Sequence, residues 1–200
     1  MLFNNLPAED PFQLFQDYYV RAEDHGDKFA EAGCISSVDK DHQPHSRFVN
    51  FKYFFEDNLI FFSNYKSHKA QDFAGNDKVC INFWWPNIEV QVRIEGVISK
   101  CEEKFSDEHF QGRKPSKNVA ALVSEQSKKI ESYDLLKQKY EVMKEKVENG
   151  EYNHSRPRNW GGYQIKVHFF EFWEANDDRL NYRECYEKTD ESWSKFFLQS

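Results

Sequence analysis

Arg179, Asn181 and Arg183 follow one another at intervals of two in a stretch that reads as a strand, so they share one face, with Trp173 across the preceding turn. Two guanidiniums beside an indole suit a flat anionic ligand, because arginine grips phosphates bidentately and stacks on rings. A solvated hairpin with surface charges explains the same residues. A second group, Ser63, Ser67, His68 and Lys69, falls where a strand gives way to a helix. Backbone N–H groups, hydroxyls and the helix dipole favour a phosphate there, although an ordinary capped helix accounts for the segment as well. Arg47 and Lys52 sit on one strand an odd number of residues apart, so regular pleating turns them to opposite faces unless a bulge intervenes. Gln91, a polar residue between Val90 and Val92, is either a satisfied interior amide or a donor to the carbonyl edge of a ligand.

Other chemistries find less support. The seven histidines form no HExxH pair, and Cys34, Cys80, Cys101 and Cys185 lie far apart with no CxxC spacing, so no metal site is expected. No GxSxG marks a hydrolase nucleophile, and no GxGxxG marks a dinucleotide-binding turn. Phosphate donors, aromatic platforms and neither metal nor nucleophile together suit a protein whose chemistry comes from an organic cofactor.

These residues need a scaffold, and hydrophobic periodicity outlines one. Residues 164–171 alternate, with Gln164, Lys166, His168 and Phe170 on one face and Ile165, Val167, Phe169 and Glu171 on the other, a long strand entered through Gly161 and Gly162. Residues 175–178 break it, and 179–186 return. Earlier strands are expected at 33–38, 46–55, 59–62, 78–85 and 88–101, and a last one at 192–198. Asp10 and Pro11 read as an N-cap and first helical residue of a helix to about residue 21 or 23. Short helices are expected from Ser67, at 105–110 and at 119–124. An amphipathic helix at 134–148 carries Leu136, Tyr140, Met143 and Val147 as an apolar stripe, read as core. A polar loop spans 154–157. Several strands with short connections and few intervening helices imply an antiparallel barrel rather than alternating βαβ units.

With 200 residues the chain suits one domain, and 17% aromatic residues supply a core despite 30% charged ones. A formal net charge of -7 argues against a general nucleic-acid binder. Scattered cysteines, no secretory pattern at the N-terminus and no long apolar run lead to the expectation of a soluble cytoplasmic protein without membrane contact.

In order along the chain, LPAEDPFQLFQDY, SRFVNFK, FFSNYKSHKA, VQVRIEG, ALVSEQSKKI, NWGGYQIKV, FEFW and RLNYR resemble the motifs of the pyridoxamine 5'-phosphate oxidase family, nearly end to end. The resemblance implies an α+β, predominantly β fold, an FMN-binding antiparallel split β-barrel with peripheral helices, forming a homodimer with FMN at the interface. It implies that Arg47, Ser63, His68 and Lys69 hold the flavin phosphate, that Lys52, Phe62, Gln91, Trp173 and Arg183 line the flavin, and that Gln126 and Ser127 complete its site. It further implies that Lys52, His109, Arg113, Lys117, Arg179 and Asn181 meet the substrate, with Arg179 positioned over it. The implied activity is oxidation of pyridoxamine or pyridoxine 5'-phosphate to pyridoxal 5'-phosphate, with dioxygen as acceptor and release of hydrogen peroxide. The chain departs from the family pattern at His68 (usually Arg), His109 (usually Tyr), Lys117 (usually Ser), Asn181-Tyr182 (usually His-Asp) and its closing FFLQS, and most of the family's N-terminal extension is missing. Two alternatives therefore stay open: a phenazine-like or other aromatic substrate, and a flavin or pyridoxal phosphate-binding protein without turnover.

Overall fold

A computed structural model of the chain describes residues 1–152, 155–190 and 192–200. In chain order these residues form β1 (Leu2–Asn4), α1 (Asp10–Asp24), β2 (Ala32–Val38), β3 (Pro44–Phe55), β4 (Asn58–Asn64), α2 (His68–Gly75), β5 (Lys78–Trp85), β6 (Val90–Lys100), α3 (Glu103–Gly112), α4 (Pro115–Val123), α5 (Tyr133–Glu148), β7 (Trp160–Glu174), β8 (Tyr182–Thr189) and β9 (Ser192–Phe197). Strands β3, β2, β5, β6, β7 and β4 pair antiparallel in that order, and β4 pairs back onto β3, closing a six-stranded barrel. Closure removes the free edges that an open sheet would leave. Two further strands, β8 and β9, continue the sheet beyond β7, and β1 runs parallel to the end of β3.

Strand β7 makes this possible by changing partners. Its first half, through Lys166, pairs with β4, and its second half, from Phe169, pairs with β8, while β6 accompanies it along the other edge. The simple alternation expected along it does not hold. The β6–β7 register shifts between Glu95 and Gly96, so Glu95 faces Phe169 whereas Gly96 faces Val167, and His168 is the extra residue. Past this bulge the faces exchange: Phe170 and Phe172 point into the core, and Glu171 is buried on the opposite face. A side chain at Gly96 would collide with the Lys166 carbonyl, since a Cβ there would lie 2.7 Å from it.

Aromatic rings fill the barrel. Helix α1 lays Phe12 and Phe15 over one end, where they meet Phe54 at 5.6 and 5.4 Å and Phe170 at 5.4 and 6.3 Å. The N-cap of α1 is Glu9, with Asp10 and Pro11 inside the first turn. Helix α5 is capped by Ser132, whose Oγ accepts from the Leu135 N–H at 3.1 Å. Its apolar stripe is not core, contrary to expectation. Of Leu136, Tyr140, Met143 and Val147 only Val147 is buried, because α5 pairs with α4 as a hairpin beside the barrel and covers no sheet face. The returning strand starts at Tyr182, so Arg179 lies in the turn with φ at 60° and shares no strand face with Arg183. The side chain of Asn181 accepts from the Asn176 N–H and the side chain of Asn176 from the Asp178 N–H, which keeps 176–181 in a turn. His154 of the expected 154–157 loop lies outside the described residues. No described helix is long and apolar enough to cross a membrane.

Phe170 ties these layers together, touching α1, β3 and Trp193 of β9. Phe170→Ala is expected to destabilise the fold by about 3–5 kcal/mol, read as a lower urea midpoint with an unchanged slope. A loss under about 1 kcal/mol would show that the ring is not central to the core.

Candidate functional site

The end of β4 and the start of α2 form a pocket rich in donors. Ser67 caps α2 in an extended conformation, and Lys69, in the first turn, is only 8% exposed. Its ammonium donates to Ser63 Oγ at 3.1 Å and Ser67 Oγ at 3.4 Å, and among the described residues no carboxylate pairs with it. Burial, helped by the neighbouring Arg47 charge, pushes the Lys69 pKa down. Arg47 donates to Ser37 Oγ at 2.7 Å and contacts Asp72 Oδ2 at 3.4 Å. Burial works against ionisation of Asp72, yet hydrogen bonds from Ser37 and His45 and the charges of His45 and Arg47 outweigh it and hold the carboxyl below its usual range. The loop after α4 closes this pocket: Gln126 Oε1 accepts from Ser63 Oγ at 3.2 Å, and Ser127 Oγ accepts from the His68 N–H at 3.2 Å.

A second wall is aromatic and cationic. The rings of Phe62 and His109 stack with centroids 3.6 Å apart and planes 6° from parallel, and Trp160 continues the stack at 5.4 Å from Phe62. Tyr53 Oη lies 2.8 Å from His109 Nδ1. Burial first, then the charges of Arg113 and Lys52, push His109 down to about 4, so the imidazole is neutral near pH 7. The Arg113 guanidinium sits 4.9 Å over the Trp160 ring and donates through Nη2 to the Lys117 carbonyl at 2.8 Å. Its Nη1 is buried with no hydrogen-bond partner among the described residues. Such a group is costly unless a ligand completes it.

Both walls face one cavity of about 570 Å³. Of the residues singled out from the sequence, Arg47, Lys52, Phe62, Ser63, His68, Lys69, His109, Arg113, Gln126 and Ser127 line it together. The odd spacing of Arg47 and Lys52 is absorbed by a register shift between Phe51 and Tyr53. Lys117 lines an adjoining space of about 220 Å³ that shares Arg113 and Trp160. Sequence reading passed over Tyr53 and Trp160. Tyr53 was hidden by the bulge beside it, whereas the Trp-Gly-Gly start of β7 signalled a place where backbones approach closely. A Cβ on Gly161 would lie 2.2 Å from the Tyr65 hydroxyl.

The remaining candidates lie elsewhere. Gln91, Trp173 and Arg183 are successive partners across β6, β7 and β8, on the opposite face from the core, next to the half-exposed Trp84. The Arg183 guanidinium is held by Glu171 at 2.6 Å, and Arg93 donates to the same buried carboxylate at 2.7 Å. Arg179 and Asn181 are in the adjacent turn. None of these five lines the cavity.

The fold and the motifs have known relatives. Residues 28–146 match the family model described as pyridoxamine 5'-phosphate oxidase, and residues 160–200 match the pyridoxine 5'-phosphate oxidase C-terminal dimerisation region. A pyridoxine/pyridoxamine 5'-phosphate oxidase of Colwellia psychrerythraea is 37% identical, covering 92% of this chain and 83% of the relative. A second such oxidase, from Hydrogenovibrio crunogenus, is 37% identical and covers 97% of this chain and 90% of the relative. Among solved structures, PhzG from Burkholderia lata, in complex with tetrahydrophenazine-1-carboxylic acid, superposes with a TM-score of 0.89 at 23% identity over 97% of this chain and 94% of that one. At that identity the likeness shows a shared fold. Two family models and relatives matched over nearly their full length place this barrel: the chain belongs to the pyridoxamine 5'-phosphate oxidase family.

Proposed function

We propose that the protein is an FMN-dependent oxidase that converts pyridoxamine or pyridoxine 5'-phosphate to pyridoxal 5'-phosphate. The observation that carries this reading is a single cavity with two separate cationic regions, one at the start of α2 and one around Arg113, with stacked rings beside them. Each region suits a phosphate, and the aromatic wall between suits a flat ring. The donor set fits FMN. Lys69, buried with hydroxyls for company and, among the described residues, no carboxylate, lacks the anion that a flavin phosphate would supply, and Arg47, Ser63, Ser127 and the N-terminus of α2 stand beside it. Bound flavin supplies a hydride acceptor that dioxygen reoxidises with release of hydrogen peroxide.

The chain's own residues bind and orient. Arg113, with one N–H group to spare, Lys52 and Lys117 hold the substrate phosphate, and the stacked rings of Phe62 and His109 wall the cavity beside it. Gln91, Trp173, Arg183, Arg179 and Asn181 enter from the second subunit of a homodimer. Strand length supports this: at about 3.3 Å per residue, Trp160 and Trp173 stand roughly 40 Å apart along β7, too far for one chain to bring to one ligand. The match of 160–200 to a dimerisation region agrees, as do Trp84, Leu180 and Phe197, large apolar side chains 51%, 75% and 60% exposed at that end.

Anaerobic addition of pyridoxamine 5'-phosphate to the FMN-loaded protein is expected to bleach the flavin absorbance near-completely, and air to restore it with one peroxide per turnover. Bound flavin that stays oxidised would overturn the reading; bleaching by another aromatic ring alone would then favour a changed substrate. Lys69→Met is expected to weaken FMN binding by on the order of 10–100-fold, the range of a hydrogen bond to a charged group. The wild-type affinity should fall as pH rises through the lowered Lys69 pKa, because the ammonium that pairs with phosphate loses its proton there, and flavin fluorescence quenching in Lys69→Met should lack that dependence.

A further inference from the structure

Tyr53 and His109 form a hydrogen-bonded pair at the substrate end of the cavity, and neither nitrogen chemistry nor geometry leaves the direction of that bond free. The imidazole is neutral near pH 7, so one ring nitrogen bears hydrogen and the other a lone pair. Burial pushes the Tyr53 phenol up, so it keeps its hydrogen and needs an acceptor; among the described residues His109 Nδ1, at 2.8 Å, is the acceptor it has. The opposite tautomer would aim Nδ1–H at the phenol oxygen and leave the phenol hydrogen without a partner in a half-buried place. Stacking of His109 on Phe62 at 3.6 Å fixes the ring plane, so a ring flip would break the Tyr53 bond and bring a carbon to the phenol.

We propose that Tyr53 is a positioning residue for substrate recognition: its O–H donates to His109 Nδ1, fixes the imidazole with hydrogen on Nε2, and so makes His109 a neutral donor to the substrate's phosphate. The inference rests on the functional reading above and adds to it a specificity element particular to this chain. A charged histidine beside Arg113 and Lys52 would be repelled, whereas a neutral N–H donates to an anion without adding charge. Tyr53 therefore lets His109 do the work of a hydroxyl donor, through a relay of one residue.

The test uses the FMN-loaded protein. Nitrogen-15 NMR at pH 7 is expected to show His109 with hydrogen on Nε2 in wild type and a mixture of tautomers in Tyr53→Phe; hydrogen on Nδ1 in wild type would overturn the proposal. Tyr53→Phe is expected to raise KM for pyridoxamine 5'-phosphate about tenfold, with kcat within about twofold and the KM for unphosphorylated pyridoxamine unchanged, as for loss of one hydrogen bond to an anion. His109→Tyr in the Tyr53→Phe background should restore the lower KM, which a merely structural role for Tyr53 would not permit. An unchanged KM in Tyr53→Phe, or an equal rise for both substrates, would overturn the role in phosphate recognition. Failure of wild type to reduce its flavin would instead sink the functional reading, and the tautomer measurement, which needs no turnover, would still decide the direction of the Tyr53–His109 bond.

Discussion

Everything in this molecule depends on β7 changing partners along its length. A strand of fifteen residues that pairs with β4 over its first half and β8 over its second both closes the barrel and extends it. The single-residue bulge at His168 reconciles the two tasks. Without it, alternation would send Phe170 outward and turn Glu171 into a core of phenylalanines, where an ionised carboxylate is very costly. With it, Phe170 and Phe172 stack at 5.7 Å inside while Glu171 meets Arg93 and Arg183 on the other face. Burial opposes the charge on Glu171, but hydrogen bonds from Arg93 and Arg183 and their charges prevail and hold its pKa below the usual carboxylate range. Arg183 is thus fixed in place before any ligand arrives.

The barrel interior and the cavity follow opposite rules. Inside, apolar rings pack against one another, some edge to face and some stacked. In the cavity, among the described residues, Lys69 is buried without a carboxylate and Arg113 leaves an N–H unspent. Both choices cost stability, and a structural network would avoid them. Under the function proposed above they make sense as one half of a set of ion pairs whose other half is the ligand, the flavin phosphate proposed at Lys69 offsetting the desolvation of its ammonium. The contrast with Asp72 is instructive. That carboxylate is buried too, yet Ser37, His45 and Arg47 surround it, so its role is to hold Arg47 in position.

The strands and helices were legible because their periods are clean: β5 matches the expected 78–85, and α2 begins directly after Ser67 as its cap. The cavity was largely legible too, since Ser63, His68, Lys69 and Gln126 sit in short motifs whose residue types carry the chemistry. Two kinds of feature were not. Bulges at Lys52 and His168 leave no mark in a single sequence, and each reverses every side chain beyond it, which is why Phe170 was placed on the face of Gln164, Lys166 and His168 and Tyr53 went unnoticed. Tertiary placement was the other: the α5 stripe has the spacing of a core helix, but what a stripe faces depends on whether a sheet or another helix arrives, and here it is α4. Arg179 was placed on a strand by its spacing from Arg183, whereas the side chains of Asn176 and Asn181 favour a turn there.

Two of the positions at which this chain departs from the motifs it resembles, His109 and Lys117, lie on either side of Arg113, and their chemistry has a common direction. His109 for tyrosine and Lys117 for serine each replace a hydroxyl with a nitrogen donor, and both lie around Arg113, whose Nη1 has no partner among the described residues. A pocket that had lost its anion would be under pressure to shed this guanidinium or to pair it with a carboxylate, because a buried N–H group left without an acceptor is destabilising. Instead the surrounding donors are retained in altered form and Trp160 supplies a ring face beneath the charge at 4.9 Å. Changes that preserve donors while exchanging their type alter how an anion is oriented more than whether it is bound. Under the proposed function a phosphorylated substrate is thus favoured over an uncharged aromatic one, and the chain's individuality lies in the geometry of the proposed grip.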